Sequence, residues 1–190
     1  MNSFDKERAQ SPIAAFDVDG TLTWTDSFML FLRFVSEARF EQWCRDYARV
    51  AYPIIARSDA LARLNSHLGV HDEVALVSAS LAGYLEPWAQ TLGVRTVLAT
   101  QVEVVNGLLT GRMRGLNCRC EQKLARIREH FGEAPLIAAY GDSRGDKEML
   151  AASQNPSLLI FDEGPANRQA ILWNLYFGNL LERRARGDMS

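Results

Sequence analysis

Two apolar segments of this chain each end in closely spaced carboxylates, and this repeated pattern limits the possible folds more than any other feature. Residues 13–16 lead into Asp17 and Asp19, which stand one residue apart and precede a glycine. Residues 136–141 lead in the same way into Asp142. Side chains two positions apart in an extended chain point to one face, roughly 6–7 Å apart, so Asp17 and Asp19 can reach one small ligand. The pattern predicts strands whose ends carry functional acids.

Apolar runs without alternation recur along the chain and are separated by helical patterns. The runs predict strands at residues 13–17, 74–78, 96–100, 136–141 and 157–161. The helical patterns cover residues 81–92, 120–131 and 147–152. Runs of this kind are typical of strands buried on both faces, and their alternation with helices predicts a parallel sheet with crossover connections. Ligands of such sheets bind beyond the carboxyl ends of the strands, where Asp17, Ser78 and Asp142 are expected.

Three segments depart from this alternation. Residues 25–69 are rich in helix formers, with aromatic and apolar residues at helical spacing, and they predict a helical insertion. Residues 102–113 contain Asn106-Gly107 between two short apolar pieces, which favours a hairpin. Residues 167–186 predict a helix with an Arg-rich end. We interpret that helix as packed on the core, and a membrane-surface role stays open as the alternative.

The composition favours a cytoplasmic protein of one main domain. The chain has 190 residues, of which 47% are hydrophobic, and this is enough for one core with a small insertion. Its net charge of -2, without a long basic run, argues against nucleic acid as a partner. Three cysteines are too few for a disulfide framework and suit a reducing compartment. Residues 1–11 lack the apolar core of a signal peptide, and we expect no transmembrane segment. The oligomeric state stays open.

The two acidic motifs, with Ser78 and Lys123 between them, resemble the four motifs of the haloacid dehalogenase superfamily in the order that family uses. The resemblance spans residues 13–161. It implies an α/β fold, a Rossmannoid parallel-sheet core with a helical cap inserted after the first strand. The core would comprise residues 1–24 and 70–190, and the cap residues 25–69. The position of the cap is similar to that of the phosphoserine-phosphatase-like branch, and the chain resembles subfamily IB hydrolases.

The chemistry implied by this resemblance is that of an enzyme, a phosphatase acting on a phosphoric monoester. Asp17 would be the nucleophile and form an aspartyl-phosphate, which water then hydrolyses. Asp19 would protonate the leaving group and then deprotonate the attacking water, helped by the turn that Gly20 allows. Ser78, the backbone amide of Ala79 and the Lys123 ammonium would bind the phosphate oxygens.

Carboxylates gathered in one small site raise each other's pKa unless a cation neutralises them. The motifs contain no histidine or cysteine ligand, and oxygen-only coordination points to Mg²⁺ as the cofactor. The resemblance implies that Asp17, the backbone carbonyl of Asp19, and Asp142 hold the metal. Asp146 would support the metal directly or through water.

We expect the substrate to be a small-molecule phosphate ester. Asp26 stands where phosphoserine phosphatases place the acid that meets the substrate amine. Arg144 and Gly145, however, replace the Ala-Asn pair that those enzymes commonly have before the last acid. Three alternatives stay open: a lipid phosphatase of the phosphatidylglycerophosphate type, a receiver-like phospho-accepting signalling module, and a catalytically idle Mg²⁺-binding relative. Asp19 favours hydrolysis over the receiver, because an acid two residues after the phosphoacceptor shortens the life of a phosphoenzyme.

Overall fold

The polypeptide is organised around a sheet of five parallel strands. A computed structural model describes residues 12–24, 40–106 and 108–158. The strands of this sheet are β1 (Ile13–Phe16), β2 (Glu73–Leu81), β3 (Thr96–Thr100), β6 (Leu136–Gly141) and β7 (Asn155–Leu158). They lie side by side in the order β3-β2-β1-β6-β7. The parallel sheet predicted from the apolar runs is therefore confirmed.

Helices connect these strands, and a hairpin leaves the sheet after β3. The helices of the described segments are α1 (Phe40–Ile55), α2 (Ser58–Gly69), α3 (Ala82–Thr91), α4 (Glu121–Phe131) and α5 (Lys147–Ala151). The predicted hairpin consists of the antiparallel strands β4 (Val102–Val105) and β5 (Leu108–Met113). A short 3-10 turn, Arg144–Asp146, precedes α5.

The central strand β1 is fully buried, and its position in the sheet determines where the next residues of the chain lie. Its side chains are at most 1% exposed. In the parallel registers Phe16 lies opposite Leu76 of β2 and Tyr140 of β6. The residues after Phe16, Leu76 and Tyr140 therefore reach the same edge of the sheet, where an α/β fold binds its ligands.

The two faces of the sheet are covered by different helices. On one face, Ile13 and Ala15 of β1 pack in a buried cluster with Ile127 of α4 and Met149 of α5. On the other face, Phe16 stacks on Tyr140, with ring centroids 4.3 Å apart, and meets the ring of His67 from α2 edge-on. Alternation of side chains along β1 produces this division.

Helix α1 approaches α3 closely through an aromatic contact. Tyr52 of α1 stacks on Trp88 of α3 with ring centroids 3.9 Å apart. A Cβ atom added at Gly83 would lie 3.0 Å from both Cys44 Sγ and Phe40 Cε1, so glycine permits the close approach. Both helices gain a buried apolar face by this packing.

Most predicted bounds agree with the structure to within a residue, but two strands differ. Strand β2 continues past Ser78 to Leu81, and its pairing with β3 is irregular between these residues. Strand β7 begins at Asn155 rather than at 157 and includes Pro156. Proline is tolerated there because β7 is an edge strand of the sheet.

Asp26 and the predicted helix at 167–186 lie outside the described residues. Helices α1 and α2 lie within the predicted cap range of 25–69, while the boundaries between core and cap stay a prediction. All described residues belong to the first of two units into which the chain divides, Met1–Ile160 and Phe161–Ser190. Among the described helices, none is long and apolar enough to cross a membrane.

Candidate active site

Asp17 directly follows the central strand and is held there by the neighbouring strand. Its backbone N–H donates to the carbonyl oxygen of Tyr140 at 2.8 Å, which continues the pairing of β1 with β6. The Asp17 side chain lies at the sheet edge and is buried, with 5% of the residue exposed. Thr21 Oγ1 donates to Asp17 Oδ2 at 3.4 Å. Asp17, the first predicted catalytic acid, therefore has a fixed carboxylate with little exposure to solvent.

A tight turn after Asp17 determines where Asp19 lies. The carbonyl oxygen of Val18 accepts hydrogen bonds from the backbone N–H groups of Thr21, Leu22 and Thr23 at 2.9–3.2 Å. Gly20 has φ of +82°, in the left-handed region where glycine carries no steric penalty. The turn that the sequence predicted at Gly20 is confirmed.

Lys123 reaches from α4 into the space between two acids. Its Nζ donates to Asp17 Oδ1 and, at 2.5 Å, to Asp146 Oδ1. Lys123 is 3% exposed. Burial alone would lower the pKa of its ammonium, but the carboxylates of Asp17 and then Asp146 outweigh burial and raise the pKa above its usual range. Lys123 is therefore charged, and removing it would leave two buried acids without their counter-ion at a cost of about 3–5 kcal/mol.

Asp146 is completely buried, and both oxygens of its carboxylate accept hydrogen bonds. Its Oδ2 accepts from the backbone N–H groups of Asp142 at 3.3 Å and Ser143 at 3.0 Å, and from Ser143 Oγ at 2.8 Å. Its Oδ1 accepts from Lys123. Because both oxygens are engaged, this carboxylate shapes the Asp142 loop and orients Lys123 as well as adding charge to the site.

The side chains of Asp17, Asp142 and Asp146 converge, with one oxygen of each lying within 4.8 Å of the others. Burial, opposed by Lys123, raises the pKa of Asp17 well above its usual range. Burial and then the charge of Asp146 raise the pKa of Asp142 to about 6. When ionised, these acids carry three negative charges against one positive charge on Lys123. The oxygen-only donor set and the excess negative charge fit a divalent cation such as Mg²⁺.

Ser78 lies inside β2 rather than at its end, and its hydroxyl has a local partner. The Ser80 backbone N–H donates to Ser78 Oγ at 3.1 Å, in the irregular part of the strand. Ser80 Oγ in turn donates to Asp19 Oδ2. Both serines are 1% exposed. The Ser80 hydroxyl therefore contacts an acid of the site, while the Ser78 hydroxyl anchors the Ser80 backbone.

Several residues that contact the site were missed by sequence reasoning, among them Ser80 and Arg57. A signal for Ser80 was present, because it stands two positions after Ser78, the spacing that places side chains on one face of a strand. Arg57 is 8% exposed, and its Nη1 donates to the carbonyl oxygen of Gly20 at 3.4 Å. No local pattern could reveal that contact, which joins residues 37 positions apart.

Comparison with known proteins agrees with this architecture. Protein CicA of Caulobacter vibrioides is 30% identical over an alignment of 196 positions, which covers 81% of this chain and 88% of that protein. A protein of unknown function from Bordetella pertussis Tohama I has a similar structure, with a TM-score of 0.65, 20% identity, and coverage of 94% of this chain and 96% of that chain. A phospho-aspartyl intermediate analogue of phosphoserine phosphatase also has this fold, with a TM-score of 0.54, 20% identity, and coverage of 76% and 84%.

A family profile covers most of the region that carries these motifs. The profile of the haloacid dehalogenase-like hydrolases matches residues 35–151, which include Ser78, Lys123, Asp142 and Asp146. The match extends over more than half of the chain, and CicA supports it with a similarity over four fifths of the sequence. The chain therefore belongs to the haloacid dehalogenase-like hydrolases.

Proposed function

We propose that this hydrolase is a Mg²⁺-dependent phosphatase that cleaves a small phosphomonoester through an aspartyl-phosphate on Asp17. The observation that carries the proposal is the buried group of Asp17, Lys123 and Asp146, with Asp142 beside it. A carboxylate next to a fixed ammonium, at the edge of a parallel sheet, suits attack on a phosphoryl group. The fold shared with a phospho-aspartyl analogue of phosphoserine phosphatase supports the same chemistry.

In the first step a carboxylate oxygen of Asp17 forms a bond to phosphorus, and the bond between phosphorus and the leaving oxygen breaks. Asp19 gives its proton to that leaving oxygen, so the product departs as an alcohol. In the second step a water molecule attacks phosphorus, Asp19 takes a proton from the water, and the bond from Asp17 to phosphorus breaks. Inorganic phosphate leaves, and both carboxyl groups return to their starting states.

The remaining polar groups would bind the phosphoryl oxygens. Lys123 supplies a positive charge that α4 and two acids hold in place. Ser78 and the backbone amide of Ala79 are our proposed donors from β2. Preorganised donors of this kind stabilise charge in the transition state without reorganising during the reaction.

The proposed metal ligands are Asp17, the backbone carbonyl of Asp19, and Asp142. Asp146 supports them through Lys123 and the Asp142 loop. A bound Mg²⁺ supplies Lewis-acid charge that offsets the acids and the phosphoryl oxygens. The fit of three converging carboxylates to such an ion supports this part of the proposal.

The choice of substrate would depend on the segment inserted after β1. We propose that residues 25–69 form a cap that excludes water and selects the substrate, with Asp26 as its contact to a substrate amine. We propose a small phosphate ester as the substrate and the cytoplasm as the compartment. We do not propose a nucleic acid as a partner. Membership of a hydrolase family favours turnover over the receiver-like function.

Steady-state assays of the full chain on p-nitrophenyl phosphate test the proposal. We expect many turnovers per chain with millimolar Mg²⁺, and loss of turnover when a chelator removes the metal. Asp17→Asn should abolish turnover, since an amide is a poor nucleophile, and the variant should still show a cooperative thermal transition. A single stoichiometric phosphorylation that decays slowly would contradict the phosphatase, and turnover unaffected by the chelator would contradict the metal.

A further inference from the structure

We propose that Ser80 is a positioning residue that fixes the orientation of the Asp19 carboxylate for proton transfer, an inference that rests on the proposed phosphatase function. Ser80 Oγ donates a hydrogen bond to Asp19 Oδ2, across 61 positions of sequence. Ser80 is 1% exposed, whereas Asp19 is half-buried at the more open side of the site. The contact thus links the acid of the Gly20 turn to a buried point on the sheet.

The backbone of Ser80 is itself well anchored, so its hydroxyl is a fixed reference point. The Ser80 N–H donates to Ser78 Oγ at 3.1 Å. The pairing of β2 with β3 resumes immediately afterwards, where Leu81 lies opposite Thr100. Ser80 thus lies in the irregular part of β2, between two points that are held by the Ser78 hydroxyl and by the pairing with β3.

Asp19, in contrast, is carried by a turn rather than by a strand. Its neighbour Gly20 has a positive φ, and the turn closes on the carbonyl oxygen of Val18. A short acidic side chain on such a turn has several rotamers, and a fixed donor selects one of them. Proton transfer needs the donor and acceptor atoms within about 2.6–3.2 Å, so this selection matters for rate.

The hydrogen bond orients Asp19 without taking part in proton transfer. Ser80 Oγ donates its hydrogen to Asp19 Oδ2. Ser80 keeps its own proton throughout both steps, so the proton balance of the reaction is unchanged. Without the hydroxyl, Asp19 would retain its chemistry but lose a contact that aligns it. A misplacement of about 1 Å can cost about 100-fold in rate.

Two aryl phosphates of nearly the same shape separate this role from a purely structural one. Phenolate is a poorer leaving group than p-nitrophenolate, so phenyl phosphate depends more strongly on the proton from Asp19. We expect Ser80→Ala to lower kcat/KM for phenyl phosphate by about 10- to 100-fold. The loss for p-nitrophenyl phosphate should be several-fold smaller. The comparison uses kcat/KM, which reports the first step alone, because the second step with Asp19 as base is common to both esters.

Two further variants serve as controls in the same assay. Ser80→Thr keeps the hydroxyl and should restore most of the activity on phenyl phosphate. Ser153→Ala also removes one hydroxyl, but from a position before β7 where Ser153 Oγ accepts from the Asn155 backbone N–H at 3.2 Å, and both esters should react as with the unmodified protein. If Ser80→Ala fails to fold, Ser80→Cys replaces it, since a thiol of similar size is only a weak donor.

Equal losses on the two esters, or no loss on either, would overturn the positioning role of Ser80. A failure of the proposed function looks different, because the unmodified protein would then turn over neither ester. A selective loss on phenyl phosphate, rescued by threonine, supports the inference.

Discussion

Gly141 lies at a position of the site where even one added methyl group would not fit. It ends β6 and lies directly against the Asp146 side chain. A Cβ atom at this position would lie 2.5 Å from Asp146 Cβ and 2.7 Å from Asp146 Cγ. These atoms belong to a fully buried side chain that four donor groups hold in place, so they cannot move aside freely.

We therefore expect Gly141→Ala to destabilise the fold by about 1–3 kcal/mol, because overpacking forces buried atoms off their preferred positions. Activity should also fall, since Asp146 orients Lys123 and the Asp142 loop. Urea unfolding and turnover on p-nitrophenyl phosphate measure the two effects. Gly69→Ala is the matched control for stability, with nothing within 4 Å of the added Cβ, and it should not lower the stability. Equal stability of the two variants would contradict the close contact at Gly141.

Single residues with a strong local signal were predicted from the sequence, and residues that act through distant contacts were not. Asp17 and Asp142 follow apolar strands, and the structure brings them together as expected. The convergence of Lys123 on Asp17 and Asp146 came from family resemblance, not from its helix pattern. Arg57 carried no local signal, because its partner is a backbone carbonyl in the Gly20 turn.

At the scale of elements, Arg57 joins the turn after β1 to the segment between α1 and α2. The Arg57 backbone N–H donates to the Leu22 carbonyl oxygen at 2.7 Å, and Thr23 forms an antiparallel bridge with Ala56. The guanidinium lies 4.5 Å from the centroid of the Trp24 ring and donates to Gly20. The segment between α1 and α2 is thus hydrogen-bonded to the turn that carries Asp19.

Replacing Arg57 by lysine tests whether the contacts of its guanidinium with Gly20 and Trp24 matter for catalysis. Lysine keeps the charge but lacks the planar fork that can contact a carbonyl oxygen and an aromatic ring together. We expect kcat to fall several-fold and the free energy of unfolding to fall by about 1.5–3 kcal/mol, the scale of a hydrogen bond that involves a charged group. Steady-state kinetics and urea unfolding measure both quantities.

Asp59→Ala is the control for the Arg57 prediction. Asp59 pairs with the same guanidinium at 2.9 Å, but its side chain is 53% exposed. A pair of this kind is worth less than about 1 kcal/mol, so Asp59→Ala should be milder than Arg57→Lys in both assays. Full activity and stability of Arg57→Lys would show that the guanidinium contacts of Arg57 are dispensable.

The order of elements was predictable because each strand and helix has a local signal. Apolar runs located the strands, and Asn106-Gly107 located the hairpin. The end of β2 was not predictable, since its irregular pairing depends on β3, which lies elsewhere in the sequence. The start of β7 was missed for a similar reason: Pro156 argues against a strand unless the strand is known to be at an edge.

At the scale of the whole molecule, the sheet order explains why these acids meet. Strand β1 lies between β2 and β6, so segments more than 100 residues apart reach one edge of the sheet. Gathering Asp17, Asp142 and Asp146 there is unfavourable without positive charge, which Lys123 supplies only in part. The stability of the fold thus depends on the balance between these carboxylates and nearby positive charge, and the proposed chemistry requires the same balance.

The most direct test of the central claim is to locate the phosphoryl group during turnover. Asp19→Asn with p-nitrophenyl phosphate should accumulate phosphoenzyme, because this ester leaves without strong acid assistance while the second step lacks its base. Rapid acid quenching, proteolysis and mass spectrometry then identify the modified residue. We predict one phosphoryl group on Asp17. A phosphoryl group on any other residue, or none in a variant that still turns over, would contradict the claim that Asp17 is the nucleophile.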